Sequence, residues 1–212
     1  MTTLSIAFDE TVKEWEEIDE AQAYKYTFYY YDIALIKIGT TYNESLHGAS
    51  VCPICLPGPK ILSQFFDSNE DITIIGMGKR KKNDNEITKL HYAEMKKING
   101  RQCYKKWYPR KPLPKDFSSI DDRGFCVRGQ NKETICSGDS GSPAIWKYKN
   151  EDYLIGILTE ALEDCEKQWM ISSRKLPKKS VKPSKVVAIR GKIMKWIALK
   201  GGKEVRTWMK NC

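Results

Sequence analysis

Thr134-Ile135-Cys136-Ser137-Gly138-Asp139-Ser140-Gly141-Ser142-Pro143 is the most informative stretch of this chain. A serine stands among small residues, with an aspartate immediately before it and glycines on both sides. A nucleophilic hydroxyl needs an exposed position on a tight turn. It also needs backbone N–H groups close by to receive the oxyanion that forms when it attacks a carbonyl. Glycine lets the backbone take the dihedrals that aim those N–H groups inward, and Gly138 and Ser140 are spaced to supply them. The stretch therefore predicts a nucleophile turn carrying Ser140.

Outward from this turn the chain reads as short strands. Ala144–Tyr148 and Tyr153–Thr159 flank the polar turn Lys149–Asp152. Upstream, Asp32–Ile38 is a mostly apolar run closed by Gly39, and Asp71–Met77 is rich in β-branched residues and ends at Gly78. Leu90–Ile98 alternates loosely, and Val186–Ile189 reads as a last strand. Strands and turns at this spacing predict a β-sandwich or barrel. Helical signals are few. Ile193, Met194, Trp196 and Ile197 with lysines between them predict an amphipathic helix over Lys192–Lys200, closed by Gly201-Gly202. Cys103–Tyr108 reads as a short turn of helix, and Arg174–Lys185, rich in proline and lysine, reads as an exposed loop.

Composition sets the outer limits. With 212 residues, 41% apolar content and a mean hydropathy of −0.55, the chain is globular and soluble in composition. It is neither collagen-like nor repetitive. No run approaches the roughly 20 apolar residues of a spanning helix. The N-terminus MTTLSIAFDE does not read as a signal peptide, because Asp9 and Glu10 interrupt its apolar stretch. Seven cysteines point to an oxidising compartment and hence to a secreted protein whose true N-terminus is missing here. The sequon Asn43-Glu44-Ser45 is compatible with that. Charge is unevenly spread: residues 170–212 carry thirteen basic side chains against Glu204, a balance of +12, and residues 1–169 sum to −3. Such a basic end either attracts a polyanion or an anionic surface, or is a solvated face.

Cys136-Ser137-Gly138-Asp139-Ser140-Gly141-Ser142-Pro143 resembles the Cys-x-Gly-Asp-Ser-Gly-x-Pro nucleophile motif of the chymotrypsin/trypsin family of serine proteases, with Ser142 in place of the usual second glycine. Tyr31–Ile38 resembles the strand that brings that family's triad carboxylate, here Asp32. Val51–Pro57 is similar to its linker between barrels, Thr73–Gly78 to its Thr-Gly-Trp-Gly strand with Met77 for the tryptophan, and Trp196-Ile197 to its terminal helix. The resemblance covers roughly residues 20–200. It implies an all-β, chymotrypsin-like double β-barrel with the first barrel incomplete, plus a C-terminal α-helix. Residues 1–50 would be the remnant of the first barrel, 51–190 the second barrel with Ser140, and 191–212 the helix and basic tail.

The implied activity is that of a secreted serine endopeptidase. Ser140 attacks, Asp32 orients a histidine, and the Gly138 and Ser140 N–H groups hold the oxyanion. Asp139 matches the carboxylate that pairs with an amine freed by proteolytic activation. Thr134, Thr159, Glu160 and Ala161 match the specificity pocket, with Thr134 on its floor where a trypsin-like enzyme has aspartate. Disulfides Cys103–Cys126 and Cys136–Cys165 are implied. Cys52, Cys55 and Cys212 are left over, with Cys55 matching a linker cysteine whose partner lies in an absent propeptide. A metal site at Cys52-x-x-Cys55 lacks two further ligands, and the resemblance implies no cofactor. Expected partners are protein or peptide substrates, with a polyanion as a candidate contact of the basic segment, and the expected state is a monomer.

Two departures weigh against activity. The family's histidine precedes the aspartate, but none of the 31 residues before Asp32 is His, and His47 and His91 both follow it. The activation sequence is absent as well, so Asp139 is expected to lack its ammonium partner and the oxyanion turn to collapse. This 212-residue chain is therefore expected to be inert. The alternative is a pseudoprotease that binds a protein or a polyanion. Glu160 at the pocket rim would either favour a basic substrate or spoil binding.

Overall fold

A computed structural model of the protein describes residues 33–35, 54–79, 89–113, 124–129, 135–160, 183–203 and 205–206. Six strands form a closed barrel: β1 (Asp71–Gly76), β2 (His91–Ile98), β3 (Gly124–Gly129), β4 (Pro143–Tyr148), β5 (Glu151–Glu160) and β6 (Ser184–Ala188), in the order β1-β2-β3-β6-β5-β4. Every pairing is antiparallel. Closure leaves none of the six with an unpaired edge.

The register follows the apolar pattern. Ile72 and Ile74 on β1, Met95 on β2, Phe125 and Val127 on β3, and Ala144 and Trp146 on β4 turn into one core. On β5, Tyr153, Ile155 and Leu158 join that core, whereas Leu154 and Ile157 face the opposite way. The strict period of two breaks between Ile155 and Ile157, where the β4–β5 ladder carries an irregularity. Gly156 sits at that break. A Cβ there would lie 2.4 Å from Val186 Cγ1 and 2.7 Å from the Val187 carbonyl oxygen, so only glycine lets β5 approach β6 this closely.

Three helices complete the described chain: α1 (Pro59–Asp67), α2 (Gly100–Trp107) and α3 (Gly191–Lys200). Ile193, Met194 and Ile197 of α3 cover the outward face of β5 and β6 through Leu154, Ile157 and Val187. Both faces of β6 are buried as a result. Helix α1 starts with proline in its first turn. It sends Phe65 into the barrel core, edge-to-face on Phe125 at 5.4 Å. Lys97 of β2 caps the other end of α1, its Nζ donating to the carbonyl oxygens of Phe65 (2.6 Å) and Phe66 (2.9 Å). Burial lowers the Lys97 pKa to about 8, partly offset by Asp67 and Glu70 nearby. At the start of α2 the Asn99 side chain accepts from the Gln102 N–H.

The six-stranded barrel and terminal helix agree with the chymotrypsin-like expectation. Helix α1 and strand β3 extend it, since neither stands out in the sequence. One expectation is corrected. The end of the Arg174–Lys185 segment is not exposed loop, because Ser184 and Lys185 belong to β6 and are buried. Ser184 and Lys185 pair with β3, Lys185 pairs with β5 as well, and Trp107 of α2 covers the Lys185 ammonium. The segment expected to be the first-barrel remnant lies outside the described residues, apart from Ile33–Leu35. Among the described residues no helix is long and apolar enough to cross a membrane.

Candidate active site

The turn that enters β4 is built by backbone hydrogen bonds. Asp139 N–H donates to the Cys136 carbonyl (3.1 Å) and Ser142 N–H to the Asp139 carbonyl (3.0 Å). Gly141 N–H reaches the Leu158 carbonyl (2.6 Å), and Leu158 N–H returns to the Ser142 carbonyl (2.9 Å). The loop is thereby pinned to β5. Gly138 and Gly141 have φ of 95° and 90°, a region that favours glycine, which is why both flank the serine.

Asp139 fixes the turn from the other side. Its Oδ1 accepts the Gly78 N–H at 2.6 Å and its Oδ2 accepts the Cys136 N–H at 2.9 Å. Lys79 N–H also donates to the Ser137 carbonyl at 3.0 Å. The carboxylate fills the space that side chains at Gly76 and Gly78 would occupy: a Cβ on Gly76 would stand 2.2 Å from Oδ1, and one on Gly78 2.4–2.6 Å from three carboxyl atoms. The expectation of an unpaired carboxylate is therefore corrected. Two backbone N–H groups satisfy it, and charge-assisted bonds of this kind offset its desolvation.

Ser140 stands exposed at the end of this scaffold. Among the described residues, neither its N–H nor that of Gly138 donates to a backbone carbonyl, although the N–H groups of Asp139, Gly141 and Ser142 all do. Among the described residues these two donors beside an exposed hydroxyl have no backbone acceptor, and an oxyanion is bound by donors of this kind. No side-chain base contacts Ser140 among the described residues. His91 opens β2, exposed and opposite Gly76. Asp32 and His47 lie outside the described residues.

Of the expected pocket residues, Thr134 and Ala161 lie outside the described residues, while Thr159 and Glu160 end β5. Thr159 Oγ1 donates to the Lys185 carbonyl (3.4 Å), and Glu160 Oε2 lies 3.0 Å from Lys185 Nζ. Lys185 is a site-adjacent residue that the sequence gives no means of finding. It is one lysine in a lysine-rich run, and only the fold shows that it is buried. Gly76 and Gly78 are similarly hidden, visible in sequence as a strand end but not as the seat of Asp139.

Cys103 and Cys126 form the expected disulfide, with Cα atoms 5.7 Å apart, tying α2 to β3. Cys136 is also disulfide-bonded, and its expected partner Cys165 lies outside the described residues. Cys55 is disulfide-bonded too, which corrects the expectation that its partner lies in an absent propeptide. Its carbonyl accepts the Leu154 N–H (2.9 Å), and this backbone pairing sets Cys55 beside β5.

A family model described as Trypsin matches residues 8–172, more than half of the chain. Three proteins of Anopheles gambiae are similar. CLIP domain-containing serine protease C9 is 29% identical over 145 residues, which are 64% of this chain and 39% of that protein. CLIP domain-containing serine protease B15 is 24% identical over 65% of this chain and 35% of its own length. CLIP domain-containing serine protease B4 is 28% identical over 63% of this chain and 34% of its own length. The chain thus spans well under half of each of these relatives.

Proposed function

The chain belongs to the trypsin family, and from that premise we propose that it carries the nucleophile half of a secreted serine endopeptidase. Ser140 attacks the peptide carbonyl and the Gly138 and Ser140 N–H groups receive the oxyanion. A histidine oriented by Asp32 takes the serine proton as general base and returns it to the leaving amine. The observation that carries this reading is the pair of backbone donors that have no backbone acceptor among the described residues, beside exposed Ser140, in a turn where the N–H groups of Cys136, Asp139, Gly141 and Ser142 are bonded. Asp139 contributes by holding that turn, not by touching substrate.

No histidine precedes Asp32 in these 212 residues. His47 and His91 are the histidines of this sequence, and His91 is exposed on β2 with no contact to Ser140 among the described residues. Without a base the serine hydroxyl is a weak nucleophile. We expect the 212-residue polypeptide alone to retain only the residual rate that oxyanion donors and binding supply. The second reading, a pseudoprotease that binds a protein or polyanion, draws on the same lack of a histidine ahead of Asp32 in these residues and on the basic segment 170–212.

The test is N-terminal sequencing and intact mass of the native protein, followed by labelling with a serine-reactive phosphonate. Labelling that disappears in Ser140→Ala, in a chain with a histidine ahead of Asp32, supports the endopeptidase. A native chain that starts at Met1 and is not labelled overturns it in favour of the binding reading.

A further inference from the structure

Lysine is among the side chains least often found inside a protein, yet Lys185 is 5% exposed. Its Nζ lies 3.0 Å from Glu160 Oε2 and 4.0 Å from the centre of the Trp107 ring. The ring is itself fixed, because Trp107 Nε1–H donates to the Pro183 carbonyl at 3.0 Å. The ammonium is thus held between a carboxylate and an aromatic face.

The pair is asymmetric. The Glu160 side chain is 43% exposed and that of Lys185 only 6%. Glu160 Oε2 makes no aligned hydrogen bond despite the short approach. The carboxylate side chain has water to turn into and the ammonium has none, so Glu160 can leave only when another carboxylate takes its place. The pair also adjoins the nucleophile turn. Leu158, two residues before Glu160, exchanges hydrogen bonds with Gly141 and Ser142. At about 3.3 Å per residue along a strand, Glu160 stands roughly 7 Å along β5 from the residue that anchors the turn.

We propose that Lys185 is a specificity-determining residue and that it reads a substrate side chain bearing a carboxylate, aspartate or glutamate. That carboxylate takes the place of Glu160 against the buried ammonium, and Glu160 rotates into solvent. The inference rests on the reading of the Ser140 turn as a substrate-processing or substrate-binding site. A neutral side chain gains nothing by displacing Glu160. A basic one would meet an ammonium whose charge it repels. Glu160 is then a built-in competitor rather than a bait for basic substrates.

The experiment uses product-like peptides identical except for a C-terminal Asp, Asn or Lys, with binding to the full-length protein followed by fluorescence anisotropy. The Asp peptide should bind about tenfold or more tighter than the Asn peptide, the scale of one charge-assisted hydrogen bond. The Lys peptide should bind weakest. Glu160→Gln should tighten the Asp peptide and leave the Asn peptide unchanged, and Lys185→Met should erase the Asp–Asn difference. Because burying a methionine there can disturb folding, the exchange Glu160→Lys with Lys185→Glu keeps a pair and should turn the preference to Lys. Equal affinity for the Asp and Asn peptides, or weaker Asp binding in Glu160→Gln, overturns the proposal. Labelling of Ser140 by a small phosphonate with no side chain reports separately. Labelling without an Asp preference sinks the Lys185 inference and leaves the protease reading. Asp-dependent binding without labelling supports Lys185 and sinks hydrolysis.

Discussion

Replacing Gly78 by alanine should dislodge Asp139, and the cost can be worked from the site. The three atoms nearest to a Cβ on Gly78 all belong to the Asp139 carboxyl, at 2.4–2.6 Å. That is closer than real Cβ atoms come, so the carboxylate has to move. Moving it breaks the 2.6 Å bond from the Gly78 N–H. A hydrogen bond to a charged group contributes about 1.5–3 kcal/mol, and forcing extra volume into a packed site costs about 1–3 kcal/mol. Gly78→Ala should therefore destabilise the protein by about 3–5 kcal/mol. Asp139→Ala alone should cost about 3 kcal/mol, because the Gly78 and Cys136 N–H groups both lose their acceptor. In the double variant the obstacle and its victim are both gone, so the second substitution should add about 1 kcal/mol or less. The coupling between them is then about 2–4 kcal/mol. Equilibrium denaturation of the four proteins measures it. If the two effects add to within about 0.5 kcal/mol, the usual margin for independent sites, Asp139 does not sit between β1 and the nucleophile turn and the reasoning fails.

Two further outcomes follow from the barrel. Lys97 is lowered from 10.5 to about 8 by burial, so between those values the unfolded chain holds a proton that the folded one has released. Stability relative to Lys97→Gln should then rise with pH from about 8 to about 10.5, and should not change with pH below 8, where both states are protonated. For a half-buried group the gain should be about 1–2 kcal/mol after solvent screening, read from denaturation midpoints across that range. The Cys103–Cys126 bond closes a separation of 23 residues. Replacing both cysteines by alanine should cost about 3 kcal/mol in denaturant unfolding, and an unchanged midpoint would contradict the loop-entropy account.

Much of the barrel was legible because its strands announce themselves locally. Asp71–Gly76 and His91–Ile98 alternate or concentrate β-branched residues, and the observed strands fall within a residue or two of the sequence reading. The nucleophile turn was legible for a different reason. Its glycines and serine stand within eight consecutive residues, so one window contains both the strain and the chemistry. Helix α1 was missed because it is short, although Pro59 at its start and Ile61, Leu62, Phe65 and Phe66 on one face mark it as amphipathic. Beside the linker Val51–Pro57 these read as more of the same irregular chain. Strand β3 was missed because Gly124–Gly129 holds two terminal glycines and a cysteine assigned to a disulfide, leaving little pattern to see. Asp139 stands out in the sequence but reads there as a carboxylate without a partner, whereas the Gly78 N–H, 61 residues away, and the Cys136 N–H donate to it. A backbone donor leaves no mark in a sequence.

The specificity reading depends on a single residue of strand geometry. Along the β5–β6 ladder Leu158 pairs with Val186, yet the next paired residue of β5 is Glu160, opposite Lys185. Thr159 is the extra residue, and its hydroxyl is spent on the Lys185 carbonyl. Side chains alternate faces with a period of two, so one inserted residue decides which face the remainder of a strand presents. Without the irregularity, Thr159 would stand opposite Lys185 and Glu160 would point to the other face of the sheet. The ammonium would then be buried without that carboxylate, at a cost of several kcal/mol. The irregularity thus both permits Lys185 to be buried and places its counter-ion where a substrate can displace it. Read in sequence, Glu160 is a lone acid near the pocket that either favours a basic substrate or spoils binding. Read across the ladder, its charge is already paired with Lys185, so a substrate carboxylate has to compete with Glu160 for that cation.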